Sequence, residues 1–136
     1  MQLNPYLLFN GQCEQAFQFY ERILGGKIQT MMRYEGTPAE GHVPAELLKK
    51  IMHASLVIDN QVLMGSDAPP EGDNQPKGFS VSIQINDPAK AERIFSALAE
   101  NGTVKMPFQQ TFWAYRFGMA TDQFGIPWMI NCEKAA

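Results

Sequence analysis

An α+β fold built from one module used twice is what this sequence predicts, and three observations carry that expectation. From Gln109 the chain reads QQTFWAYRFGMATDQFGIPWMINC. In it Tyr115, Phe117 and Met119 alternate with Arg116, Gly118 and Ala120, the two-residue period of a strand with one bulky face and one suited to close packing. A turn at Asp122-Gln123-Phe124-Gly125 follows, and Ile126 to Asn131 returns as the second arm of a hairpin. A weaker copy of the same unit, HASLVIDNQVLMGS, runs from His53 to Ser66. Superposing Asp59 on Asp122 pairs His53 with Arg116 and, with two extra residues in the later turn, Met64 with Met129. Such repetition sets the architecture before any single residue does.

A chain of 136 residues with 45% hydrophobic content is read as a single domain, residues 1–136, with enough apolar material for a core. The net charge of −3 and the scatter of the eleven basic residues leave no basic footprint, so neither nucleic acid nor an anionic membrane is expected as a partner. The uncharged run from Ile51 to Ile58 falls far short of the roughly 20 apolar residues that span a bilayer. The start, MQLNP, has neither the basic nor the apolar part of a secretion signal, which makes a cytoplasmic location the expectation. Cys13 and Cys132 lack metal-ligand spacing and are read as reduced packing thiols.

Taken in order, residues 3–9 predict a short strand that Asn10-Gly11 breaks. Residues 12–24 carry Ala16, Phe19, Tyr20 and Ile23 at helical spacing, widened by Cys13 and Phe17, and Gly25-Gly26 stops the helix. Residues 27–34 are rich in Ile, Thr, Met and Tyr and predict a strand. Gly36, Pro38, Gly41 and Pro44 mark an insertion, with a short helix expected over 45–50, and the hairpin over 51–66 closes the first module. The first module thus spans about 1–67. A Pro- and Gly-rich linker covers about 68–77, and the second module about 78–136. In the latter, Phe79, Val81, Ile83 and Ile85 alternate with Ser80, Ser82 and Gln84. Asp87-Pro88 then opens a helix whose stripe is Ala91, Ile94, Phe95 and Leu98, Asn101-Gly102 ends it, and residues 103–108 make the next strand.

The spacing of Phe19-Tyr20 to Leu24-Gly25, the Asp-led turn at Asp122 to Gly125 and the doubled unit together resemble the vicinal oxygen chelate superfamily over nearly the whole chain. That superfamily includes glyoxalases, bleomycin- and fosfomycin-resistance proteins and extradiol dioxygenases. Within it, TFWAYRFG from Thr111 and DQFGIPWMIN from Asp122 look like the PhnB-like branch, also filed under a demethylubiquinone methyltransferase name. The resemblance implies the glyoxalase/bleomycin-resistance fold, with a helix over one face of each sheet, the other faces curved around a cavity, and a homodimer. It also implies where a metal would be held, and those positions fall on Pro5, on Gly78 or Ser80, on Met64 and on Met129. Proline and glycine offer no side-chain donor, serine is a poor ligand alone, and thioether sulfur is soft. No metal and no cofactor are therefore expected.

The residues that remain suggest a small-molecule ligand. Met64 and Met129 would give an adaptable apolar floor, Trp113, Tyr115, Phe117 and Met119 a stacking wall, and Ser80, Ser82 and Gln84 a few hydrogen bonds. The alternative for the wall is core or dimer-interface packing. His53 is a candidate general base or substrate donor, or a strand histidine paired with a backbone or carboxylate group. His42 is expected at the surface, and Trp128 and Ile130 in the helix-covered core. Asp59 and Asp122 are read as turn residues bonding nearby backbone amides, and Asp67 and Glu71 as solvated loop residues. No phosphate loop, nucleophile elbow or Cys-His pair is present. The function expected is metal-independent binding of an aromatic or amphipathic molecule. Its alternatives are a metal-dependent lyase, isomerase or dioxygenase with His53 as ligand, and the methyltransferase of the family label.

Overall fold

A computed structural model describes residues 1–68 and 76–133, which fall into two compact units, Met1–Asn74 and Gln75–Ala136. In the first unit β1 (Tyr6–Phe9) is followed by α1 (Cys13–Leu24), β2 (Lys27–Arg33), β3 (Ile51–Ile58) and β4 (Gln61–Asp67). In the second, β5 (Val81–Gln84) leads to α2 (Pro88–Ala99), β6 (Thr103–Gln109), β7 (Arg116–Thr121) and β8 (Pro127–Cys132). The sheet orders, β1-β4-β3-β2 and β5-β8-β7-β6, are the same, each with one parallel pair at the start and antiparallel pairs after it. The expected α+β fold of two strand–helix–three-strand modules is what the chain adopts. In place of the helix expected over 45–50 there are two short 3₁₀ turns, Glu40–His42 and Ala45–Leu47. His42 is exposed there, as expected, and Leu47 is buried.

In the first unit α1 buries Cys13, Ala16, Phe17, Phe19, Tyr20 and Leu24, with Leu24 taking the place at the helix end that the sequence reading gave to Ile23. The sheet comes very close: a Cβ on Gly65 would lie 2.8 Å from Phe17 Cε1 and 2.9 Å from the Leu7 carbonyl oxygen. Asp59 and Asn60 form the two-residue turn between β3 and β4, with φ of 47° and 69°, the left-handed conformation that fits a tight hairpin. The Asp59 backbone, then, makes this turn, and no hydrogen bond of its side chain appears among the described residues.

Asp67 is a correction of larger consequence. It is the last residue of β4, not part of the solvated linker, and is only 1% exposed. One carboxylate oxygen accepts the Gly11 and Cys13 N–H groups at 2.9 Å each, and the other accepts the Ile51 N–H at 2.9 Å. The first N–H groups of a helix have no partner within it, and Gln12 at the helix start makes no side-chain cap. Asp67 supplies that cap from the far end of the unit. Glu71 lies outside the described residues.

In the second unit the start of α2 is capped locally, as expected, by Asp87 accepting from the Ala89 and Lys90 N–H groups. Its buried stripe is Ala91, Ile94, Phe95 and Leu98, and Trp128 and Ile130 join that core at 2% and 0% exposure. Asp122 is buried at 3% exposure, with one oxygen accepting from the Phe124 and Ile126 N–H groups and the other from Trp128 Nε1 at 2.9 Å. β5 is shorter than the alternation suggested, and Phe79, outside it, is 54% exposed.

Replacing Asp67 with Ala is expected to lower the stability of the protein by at least about 3 kcal/mol in urea unfolding, because three buried N–H groups lose their acceptor at once. A loss under about 1 kcal/mol would show that the clasp is dispensable. The thiols give a second test. Burial, and then the carboxylates of Asp67 and Glu14, pushes the Cys13 thiol far above its usual range; burial and then Asp87, opposed by Arg116, raises Cys132. Both are 0% exposed, so neither is expected to react with a disulfide reagent at about pH 8 until denaturant is added.

Candidate functional site

Each sheet has one face under its helix, and the close glycines identify it. Gly65 faces α1, so its neighbour Met64 faces away, together with its cross-strand partners Tyr6 on β1 and Ser55 on β3. His53, two residues from Ser55, shares that face with its β2 partner Met32. Tyr6 Oη lies 3.4 Å from His53 Nδ1, and the two rings stack with centroids 5.8 Å apart. Tyr6 and Met32 are exposed, whereas Ser55 is buried. His53 is therefore partnered by a phenol, not by the backbone or carboxylate group that a structural histidine was expected to have.

The pairing of His53 with Arg116 is corrected by the registers. Met64 sits opposite Ser55, and Met129 sits opposite Met119, so with the two methionines equated the counterpart of His53 is Phe117. A one-residue slip moves a side chain to the other face of a sheet. Arg116 pairs with buried Cys132, on the parity of Gly118.

In the second unit a Cβ on Gly118 would lie 2.7 Å from Phe95 Cε2 of α2 and 3.0 Å from the Phe108 Cα, so Phe117 and Met119 turn away from the helix. Their partners on β8 are Asn131 and Met129, and the partners of these on β5 are Gln84 and Ser82. Four of the predicted ligand residues, Ser82, Phe117, Met119 and Met129, are thus brought to one face. Trp113, in the segment before β7, packs edge-on against Phe117 at 5.3 Å, and Phe112 lies against Trp113 at 4.8 Å. Ser80 and Tyr115 fall just outside β5 and β7. Tyr115 carries the Arg116 guanidinium 4.4 Å over its ring.

The polar edge of this face is a connected row. Asn131 Nδ2 donates to Gln84 Oε1 at 2.8 Å, and Gln84 Nε2 donates to Ser82 Oγ at 3.1 Å. Asn131 Oδ1 is buried and has no hydrogen-bond partner among the described residues. Asn131 was not among the sequence candidates, although its parity with Met129 on β8 was the signal that places it here.

The positions where the family resemblance puts metal ligands offer little to a hard cation. Pro5 precedes β1 and its carbonyl accepts the Met64 N–H at 3.0 Å, and Met64 and Met129 present thioethers. Among the described residues, no group of three or more His, Cys, Asp or Glu side chains gathers in a way that holds a metal ion, and no helix is long and apolar enough to cross a membrane.

Comparison with known proteins places this architecture. Residues 1–131 match the model of the 3-demethylubiquinone-9 3-methyltransferase family. Protein YjdN of Escherichia coli is 37% identical, over 98% of this chain and 97% of that protein. The crystal structure of protein PA1353 from Pseudomonas aeruginosa is 46% identical, with a TM-score of 0.90 and 99% of both chains covered. A putative 3-demethylubiquinone-9 3-methyltransferase, PhnB protein, from Bacillus cereus superposes with a TM-score of 0.83 at 20% identity, over 97% of this chain and 99% of that one. The fold is shared further, with a glyoxylase/bleomycin resistance protein/dioxygenase domain from Frankia at 14% identity and a TM-score of 0.65, over 98% of both chains. With the doubled module and its sheet order, these matches identify the chain as a member of the 3-demethylubiquinone-9 3-methyltransferase family.

Proposed function

We propose that the protein binds a small aromatic or amphipathic molecule without the help of a metal. The observation that carries this reading is the face of the second sheet turned away from α2. There Phe117, Met119 and Met129 form an apolar floor beside the polar row of Ser82, Gln84 and Asn131. Small-molecule sites generally combine such surfaces, and methionine adapts to irregular ligands. Trp113 against Phe117 offers a further stacking surface, with Ser80 and Tyr115 contributing from the strand ends. In the first unit Met64 holds the equivalent place on its sheet. The reading includes a cytoplasmic homodimer, since Phe112 and Trp113 leave aromatic surface exposed and both cysteines are unbridged.

The contact of Tyr6 with His53 favours one second reading, in which His53 moves a proton to or from the bound molecule. A metal-dependent lyase, isomerase or dioxygenase with His53 as ligand finds less support, because Tyr6, Ser55, Met32 and Met64 share its face and bring no carboxylate. The methyl transfer in the family's description has no feature of the site to rest on.

A thermal-shift screen of small aromatic compounds in the presence of EDTA is expected to yield at least one that raises the melting temperature. At a hundredfold excess over Kd the rise should be roughly 5–10 °C. Phe117→Ala should reduce the shift by weakening binding about tenfold. A strict requirement for a divalent cation, or one ion retained per chain after purification, would overturn the metal-independent reading. Turnover lost in His53→Ala with binding intact would establish the second reading, and a response to S-adenosylmethionine alone would favour methyl transfer.

A further inference from the structure

The row on β5 and β8 has a direction, and its two ends differ. Asn131 donates to Gln84, and Gln84 donates to Ser82, so Ser82 Oγ already receives a hydrogen bond and its own proton is available to donate. At the opposite end Asn131 Oδ1 is an acceptor, buried and without a partner among the described residues. Buried polar atoms are nearly always hydrogen-bonded, and an orphan costs about 1–3 kcal/mol. Running both amides the other way would not remove the defect, because Asn131 would then leave N–H donors unpaired in the same place.

The residues beside Asn131 on its face are groups able to make room. Phe117 stands across from Asn131 in the sheet register, and Met129 is the next residue of β8 on the same face. Trp113, which packs on Phe117, belongs to an irregular segment rather than to a strand, and is 49% exposed. A thioether side chain and a loop-borne ring yield more readily than a strand backbone.

Resting on the binding role proposed above, we infer that Asn131 Oδ1 is the specificity determinant of the site and selects ligands carrying an N–H or O–H donor beside an aromatic ring. Aromatic carboxamides combine the two features: an N–H to satisfy Asn131 Oδ1 and a ring to lie against Phe117 and Met129. An aromatic compound with no donor leaves the orphan unpaired when it covers the row. Sites built to bond a polar hydrogen discriminate strongly against analogues that lack it.

Three probes separate this inference from the general binding role: benzamide, N,N-dimethylbenzamide, which keeps ring and carbonyl but has no N–H, and toluene. Calorimetry on the full-length protein is expected to show benzamide binding about tenfold or more tightly than either of the others. In nitrogen-15 spectra the Asn131 side-chain amide signals should move with benzamide. Asn131→Leu should bring benzamide and dimethylbenzamide to within about twofold of each other. Equal binding of the two amides by the unmodified protein, which needs no variant to fold, overturns the inference while leaving the binding role standing. That is also the result expected if Asn131 presents N–H groups instead of its oxygen. Binding by toluene alone overturns it in the same way, and binding of none of the three removes it along with the aromatic site.

Discussion

The structure of the first unit depends on one buried carboxylate. Asp67 ends β4, and its two oxygens gather N–H groups from the turn after β1, from the start of α1 and from the start of β3. Without water around it a carboxylate is costly to bury unless its lone pairs are used, and without an acceptor the N–H groups at a helix start are orphans. Each need satisfies the other, so the end of the last strand, the first turn of the helix and the entry to β3 are fixed together. The Tyr34 hydroxyl adds to the same point by donating to the Asp67 carbonyl at 2.7 Å. Asp122 plays a related but more local part in the second unit, tying its own turn to the indole of Trp128 on β8.

With the strand ends fixed in this way, each sheet can afford two very different faces. Under the helices the strands carry glycine at the closest approach, Gly65 against Phe17 and Gly118 against Phe95, where any side chain would collide with a ring. The alternate residues then necessarily point the other way: methionines, aromatics and hydroxyls in both units, with amides in the second. The chemistry of the candidate site is thus a by-product of the period of a strand: small residues where the helix packs, soft and adaptable ones opposite.

Family membership and function separate at this face. The fold is shared down to 14% identity, and at that distance it carries no chemistry with it. The chemistry of this chain lies in the side chains on those faces. Thioethers stand at Met64 and Met129, a phenol meets His53, and a row of neutral amides and a hydroxyl runs along β5 and β8. Thioether sulfur is soft and adaptable, and the amides and the hydroxyl are neutral hydrogen-bonding groups.

By itself the sequence determined the repeated module, both helices, the buried stripe of α2 and all but the last residue of that of α1, the Asp87 cap and the helix-covered place of Trp128 and Ile130. All of these rest on spacing within a few residues, where helix and strand periods act directly. It also placed Met119 and Met129 on one face by alternation. Only the tertiary structure decided what long-range pairing controls. Asp67 looks like a solvated acid beside a proline-rich linker, because the N–H groups that hold it lie as far as 56 residues away. The mate of His53 turned on strand register, which a comparison of turns of unequal length misplaced by one residue. Parity with Met129 gives the face of Asn131, but its unpaired atom emerged only when β5 was laid beside β8, since that is a property of its neighbours in space.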